Sequence, residues 1–260
     1  MRKSNPWLKL HLALTLAFLY VPILVLVVLS FNDSGLPTAW TGFSLKWYAK
    51  LLGDSRILLP ALHTLVVGLA VTVVATVIGT MLALAVQRMK SSALIDGFLL
   101  MPMVIPDIVL AIALLSFFTA VNFPLGLPTV VIAHVVFCIA FVTAVVRARL
   151  DGFDASLIEA SIDLGATRFT TFRRVSLPLL TPGILGGALL SFTLSFDEFV
   201  IAFFTAGPSS DSQTLPMKIY AMLHFGITPD INALATLTIL TSFVLVMIAQ
   251  RFNKSVLGDI

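Results

Sequence analysis

Six stretches of this chain run for about 20 residues or more with scarcely a charge, and about 20 residues is what a helix needs to cross a hydrocarbon layer about 30 Å thick. They cover residues 10–31, 60–86, 94–121, 127–146, 183–206 and 231–249. Apolar surface on that scale has no place in a soluble core. Of the 260 residues, 58% are hydrophobic and 11% charged, against roughly 45–50% and 25% in soluble domains. Lipid is the solvent that such a chain requires. The expected class is an all-α membrane protein with six transmembrane helices, forming a single transmembrane domain over 1–260.

The first stretch follows Arg2, Lys3 and Lys9, as a secretory leader would. It is too long for a leader's apolar segment, and Ser30-Phe31-Asn32-Asp33 offers no small-residue cleavage site, so a retained helix is expected. Basic residues fix the orientation. With the N-terminus inside, Arg2, Lys3, Lys9, Arg88, Lys90, Arg147, Arg149, Arg168, Arg173, Arg174, Arg251 and Lys254 are cytoplasmic, and only Lys46, Lys50, Arg56 and Lys218 lie outside. This 12 to 4 division of the 16 basic residues predicts an even number of spans with both termini in the cytoplasm. The net charge of +3 is thereby assigned to membrane sidedness, not to nucleic acid. Outside, 32–59 is rich in turn residues and aromatics (Gly35, Pro37, Trp40, Trp47, Tyr48), a composition suited to anchoring at the interface.

Several chemistries find no support. The single cysteine, Cys138, cannot form an intramolecular disulfide. His11, His63, His134 and His224 have no metal-ligand spacing and are read as structural. Neither an HExxH nor a GxxxxGK[ST] string occurs, so neither zinc hydrolysis nor nucleotide binding is expected of this chain.

Three acids inside the stretches demand explanation: Asp107, Asp197 and Glu198. A charge within a span costs roughly 2.5–3.5 kcal/mol on insertion scales, so each calls for a partner or a watery path. Asp107 lies 13 residues after Leu94 and Asp197 lies 14 after Gly183, which places both about 20 Å from the same side. No Lys or Arg falls at that depth. A mobile cation is the expected counter-ion. Pro102 and Pro106 should break or kink the third stretch just before Asp107, and irregular backbone at depth belongs to a cavity lining. Asp197 and Glu198 diverge by about 100° on a helix, so one of them is expected to face the cavity, with Phe196 beside them to meet an amine through its ring. The alternatives are protonated packing residues, or a fifth helix that ends early and leaves the pair near water.

The longest cytoplasmic stretch, 147–182, is amphipathic and carries alternating charge. Asp154 or Ser156 should cap a helix that Gly165 ends, and a second helix over 168–175 should stop before Pro178. Glu159-Ala160-Ser161, then Gly165-Ala166, then Ser176-Leu177-Pro178 resembles the EAA loop of permease subunits of bacterial ATP-binding-cassette importers, with Ser161 in place of the second Ala. The resemblance implies a type I importer permease fold in the bacterial inner membrane. It also implies a coupling loop, comprising Glu159, Ala160, Gly165, Ala166 and Pro178, seated on a cytoplasmic ATPase dimer. ATP and Mg would then be bound by that separate chain and no cofactor by this one.

Further segments are similar to the polyamine branch of these permeases, which imports spermidine and putrescine. They are Ser30-Phe31-Asn32, Lys46-Trp47-Tyr48, Pro106-Asp107-Ile108-Val109, Ser191-Phe192-Thr193-Leu194-Ser195, Gly207-Pro208-Ser209, Leu215-Pro216-Met217-Lys218-Ile219-Tyr220 and Asn232-Ala233-Leu234-Ala235-Thr236. This resemblance implies a second homologous permease subunit, an extracytoplasmic polyamine-binding protein, and Asp107, Asp197, Glu198 and Phe196 along the substrate path. The branch carries two aspartates where this chain has Asp197-Glu198, which leaves another organic cation as the alternative cargo. A proton-coupled carrier using Asp107 is the alternative of a different class.

Overall fold

The computed structural model describes residues 6–35, 39–89, 92–152, 154, 156–224 and 229–258, with the side chains of 245 and 248–258 left out of that description. Arg2, Lys3, Pro37 and Lys90 lie outside the described residues, as do the side chains of Arg251 and Lys254. All the regular elements described are helical: α1 Pro6–Leu29, α2 Lys46–Gly53, α3 Ser55–Arg88, α4 Ala93–Val104, α5 Asp107–Ala120, α6 Leu127–Asp151, α7 Ser156–Asp163, α8 Arg168–Thr171, α9 Leu177–Asp197, α10 Val200–Thr205, α11 Leu215–His224 and α12 Pro229–Gly258. A π-helical turn, Phe172–Ser176, joins α8 to α9, and a 3-10 turn, Ser210–Ser212, precedes α11. Among the described residues, four helices are long and apolar enough to cross a bilayer, or five if the bent pair α4 and α5 counts as one span. The apolar part of α12, Pro229–Val244, is shorter.

Contacts group the chain into two compact units. The first comprises residues 1–59 and 218–244. Its organising residue is Asn32, which is buried in the loop after α1. Asn32 Nδ2 donates to the Ala39 carbonyl at 2.6 Å, while its Oδ1 accepts from the amides of Ser34 and Thr41 at 3.2 and 3.0 Å. The Trp47 indole donates to the Asn32 carbonyl at 2.8 Å, and Ser30 Oγ lies 2.6 Å from the Tyr48 hydroxyl. Trp47 and Tyr48, in the first turn of α2, are therefore half-buried against the loop after α1, while Trp40 is exposed. Lys50 pairs with Asp230 at 2.8 Å. Asp54 caps α3, accepting from the Arg56 amide, and the Arg56 guanidinium 2.9 Å away holds its carboxyl down at about 2.

The second unit, residues 60–217 and 245–260, is built on α6, whose Val130, Ala133, Val142 and Val146 are fully buried. Small residues let its neighbours come close. A Cβ at Gly79 of α3 would lie 2.8 Å from Val142, and one at Gly183 of α9 would lie 2.8 Å from Arg149 Cβ. In membranes, where lipid is as apolar as leucine, such close approach is what holds helices together. An ion pair, Arg147 to Asp96 at 2.5 Å, fastens α6 to the first turn of α4.

The break expected before Asp107 is present, and three other boundaries correct the sequence reading. The third stretch, 94–121, is two helices bent by 102° at Ile105–Pro106. Pro106 supplies no N–H and pushes Ile105 into extended backbone, with ψ at 133°. The expected helix over 168–175 does not stop before Pro178. It continues through the π-helical turn, where the Leu177 amide reaches back five residues to the Phe172 carbonyl. The widened turn brings Pro178 into the first turn of α9, where a missing N–H is tolerated. The span expected over 183–206 therefore starts earlier and breaks at Glu198, and α6 runs to Asp151 instead of 146. Both extensions shorten the expected 147–182 loop.

Candidate functional site

The two broken helices meet. α10, which follows the break at Glu198, packs against α5, which follows the break at Pro106. Asp107 is the first residue of α5 and Asp197 the last of α9. Glu198 stands in extended backbone between α9 and α10, with ψ at 117°. The carboxylates of Asp107 and Asp197 both act electrostatically on Glu198, so three acids separated by up to 91 positions in the sequence share one neighbourhood.

Their surroundings differ. Asp107 and Asp197 are exposed and Glu198 is half-buried. Glu198 Oε1 accepts the Ile201 amide at 2.5 Å, which makes it the cap of α10. The structure thus gives Glu198 a backbone duty that sequence reasoning missed. Among the described residues none of the three acids makes an ion pair. Phe196 is buried, its ring 5.7 Å from that of Phe192, which packs against Gly68 of α3. The rings of Phe199 and Phe203, 5.5 Å apart, flank the other side of the break.

The chain segment after α6 forms a second constellation. Asp154 Oδ1 accepts the Ser156 amide at 2.9 Å and starts α7, and the bonds from Ser156 hold that carboxyl below the usual carboxylate range. α7 ends in a Schellman motif: the Gly165 amide bonds the Ile162 carbonyl at 2.8 Å and the Ala166 amide bonds the Ser161 carbonyl at 3.1 Å. Gly165 has φ at 84°, which explains the glycine, since open space surrounds it. Ser161, the departure from the EAA pattern, is put to use. Its hydroxyl lies 3.0 Å from that of Thr171 and ties α7 to the end of α8. Glu159 and Ala160 are exposed, Ala166 is half-buried, and Leu164 and Phe169 present apolar side chains that are 89% and 72% exposed. Pro178 stands apart from these, within α9. Among the described residues no group of side chains is arranged to hold a metal ion.

Comparison with known proteins accords with this architecture. Residues 75–257 match the family of binding-protein-dependent transport system inner membrane components. The chain is 40% identical over 250 residues to the spermidine/putrescine transport system permease protein PotC of Escherichia coli K12, with 94% of each chain covered. It is 38% identical over 269 residues to the putrescine transport system permease protein PotI of the same organism, covering 98% of this chain and 95% of PotI. In fold it is similar to a chain of a bacterial ABC transporter that imports alginate, with TM-score 0.76 at 15% identity and 96% of each chain covered. It is also similar to a chain of the MetNI methionine ABC transporter, with TM-score 0.59 at 19% identity, covering 78% of this chain and 99% of the other. The chain belongs to the binding-protein-dependent transport system inner membrane components, the permeases of ABC transporters.

Proposed function

We infer that this chain is the membrane-spanning subunit of an ATP-driven importer whose cargo is a polyamine, spermidine or putrescine. One observation carries the reading: Asp107, Asp197 and Glu198 gather at two helix breaks with no basic partner among the described residues, in a chain 40% identical to a spermidine/putrescine permease over 94% of its length. Carboxylates set at membrane depth attract a mobile ammonium group, and charge-assisted hydrogen bonds reward it. The rings of Phe199 and Phe203 add faces on which a methylene-linked amine gains a further 0.5–2 kcal/mol, roughly, by cation–π contact. Phe196 backs the acidic pair from its buried side.

On this reading six helices cross the inner membrane as a single domain, and both termini are cytoplasmic. The EAA loop, with Glu159, Ala160, Gly165 and Ala166 at its centre and Pro178 at its far end, seats on a separate ATPase dimer that binds ATP and Mg. The exposed Leu164 and Phe169 support a docking role, since large apolar side chains left bare beside a membrane mark a contact surface. A second homologous permease completes the path, and a polyamine-binding protein outside delivers the cargo. Another organic cation is the second reading, favoured by the unequal reach of Asp197 and Glu198. The test is ATP hydrolysis by the reconstituted complex with spermidine and putrescine. Both amines should stimulate it in wild type, and Asp107→Asn or Asp197→Asn should raise the half-stimulating concentration by about tenfold, the equivalent of ~1.4 kcal/mol. Equal stimulation across all three would remove the acids from the path, and uptake without ATP would point to proton coupling instead.

A further inference from the structure

The break between α9 and α10 lacks the proline that makes the other one, so something else must stop α9 at Asp197. The neighbouring α6 supplies two side chains that reach the segment on either side of the break. Before it, His134 Nδ1 lies 2.9 Å from Ser195 Oγ, and both residues are buried. Beyond it, Thr129 Oγ1 lies 2.7 Å from the carbonyl of Thr205, the last residue of α10, again with both residues buried.

Neither contact is incidental. An imidazole in an apolar helix core is costly unless hydrogen-bonded, and the bond to Ser195 is the one that His134 makes among the described residues, its Nε2 having none. Thr129 is fixed in turn by the start of α6, where it accepts the Gly126 amide at 2.8 Å and lies 2.7 Å from the Gly126 carbonyl. The outer contact is reinforced where α10 ends: a Cβ on Gly207, whose φ is 74°, would stand 2.8 Å from Leu125. His134 and Thr129 are five positions apart on α6, a rise of about 7.5 Å, whereas the segment they hold, 195–205, spans ten. A continuous helix of ten steps would be about 15 Å long and could not meet both. The spacing on α6 therefore imposes a shortened, interrupted path, and Asp197 and Glu198 lie on the interruption.

We propose that His134 and Thr129 form a two-point clamp that sets the break and thereby aims Asp197 and Glu198 at the cation. They are positioning residues for substrate selection, without contact to the substrate. The functional half of this inference rests on the polyamine reading above; the structural half does not.

The test uses the assembled complex with two readouts: amide hydrogen exchange over 199–203, and the spermidine concentration that half-stimulates ATP hydrolysis. His134→Leu and Ser195→Ala remove the inner hydrogen bond, Thr129→Val removes the outer one along with its bonds to Gly126, and each should speed exchange in that segment and raise the half-stimulating concentration about fivefold, with the maximal rate held. His134→Asn, whose amide reaches where Nδ1 stands, should restore both values. Unchanged exchange in the variants overturns the clamp. Faster exchange with an unaltered spermidine dependence reduces it to a packing feature and overturns the positioning role. If His134→Leu does not assemble, the milder Ser195→Ala and Thr129→Val decide the matter. Should no amine stimulate the wild type, the polyamine reading fails, and the exchange comparison still judges the clamp.

Discussion

The two helix breaks that bring the acids together are made in different ways. At Ile105–Pro106 the interruption is written into local covalent chemistry: a residue without an N–H, and a preceding residue driven from helical backbone. At Glu198 the residues are ordinary helix formers, and what interrupts α9 is the side chain of Glu198 bonding forward to Ile201 and the reach of α6 across the gap. The first break is a property of the segment, the second of its neighbours. A local break survives changes elsewhere in the protein, whereas a tertiary one is adjustable from a distance.

The largest effect should come from restoring the missing donor at the first break. Pro106→Ala favours a continuous helix by about 3 kcal/mol, so the 102° bend should open and amine-stimulated hydrolysis should fall by at least about tenfold, with insertion intact. Activity that stays at the wild-type level would mean that tertiary contacts hold this break too, and the contrast would collapse. At the second break, Glu198→Gln and Glu198→Ala separate charge from cap. The amide retains an acceptor for the Ile201 amide, so thermal stability should hold while spermidine dependence weakens. Alanine should lose both, at a further cost of about 1 kcal/mol in unfolding. Equal stability of the two variants would deny Glu198 its capping role. The smallest effect belongs to a turn outside both breaks. Gly165→Ala meets open space, so its cost of about 1 kcal/mol is that of the left-handed backbone alone, readable as a shift in the melting temperature of the complex.

The same contrast explains what could be read from the amino acids. The apolar stretches, the break before Asp107, the cap at Asp154 and the terminator Gly165 are all set by residues within a turn or so of their effect, and each was legible. Pro178 misled because a proline in a helix is forbidden only if the ladder is strictly α, and the π-helical turn at Phe172–Ser176 lifts that restriction. The break at Glu198, anticipated as the alternative of a fifth helix that ends early, has no local proline to fix it, and the ion pair of Asp96 with Arg147 and the bonds of His134 and Thr129, which connect residues 51 to 76 positions apart, are announced by no local pattern. One signal was available: a histidine in the middle of a long apolar stretch must find a polar partner. Read as merely structural, His134 had its partner in Ser195, two residues from the acidic pair.

The run Arg168–Asp197 is a single helix of 30 residues, about 45 Å long. One end adjoins the Ser161 loop and the other carries Asp197. The π-helical turn at Phe172–Ser176, Pro178 and Pro182 lie between them. On the proposed reading, thrust delivered to the loop end would reach the carboxylate along this one helix, so grip on the cargo and the stroke that frees it would be two ends of one lever.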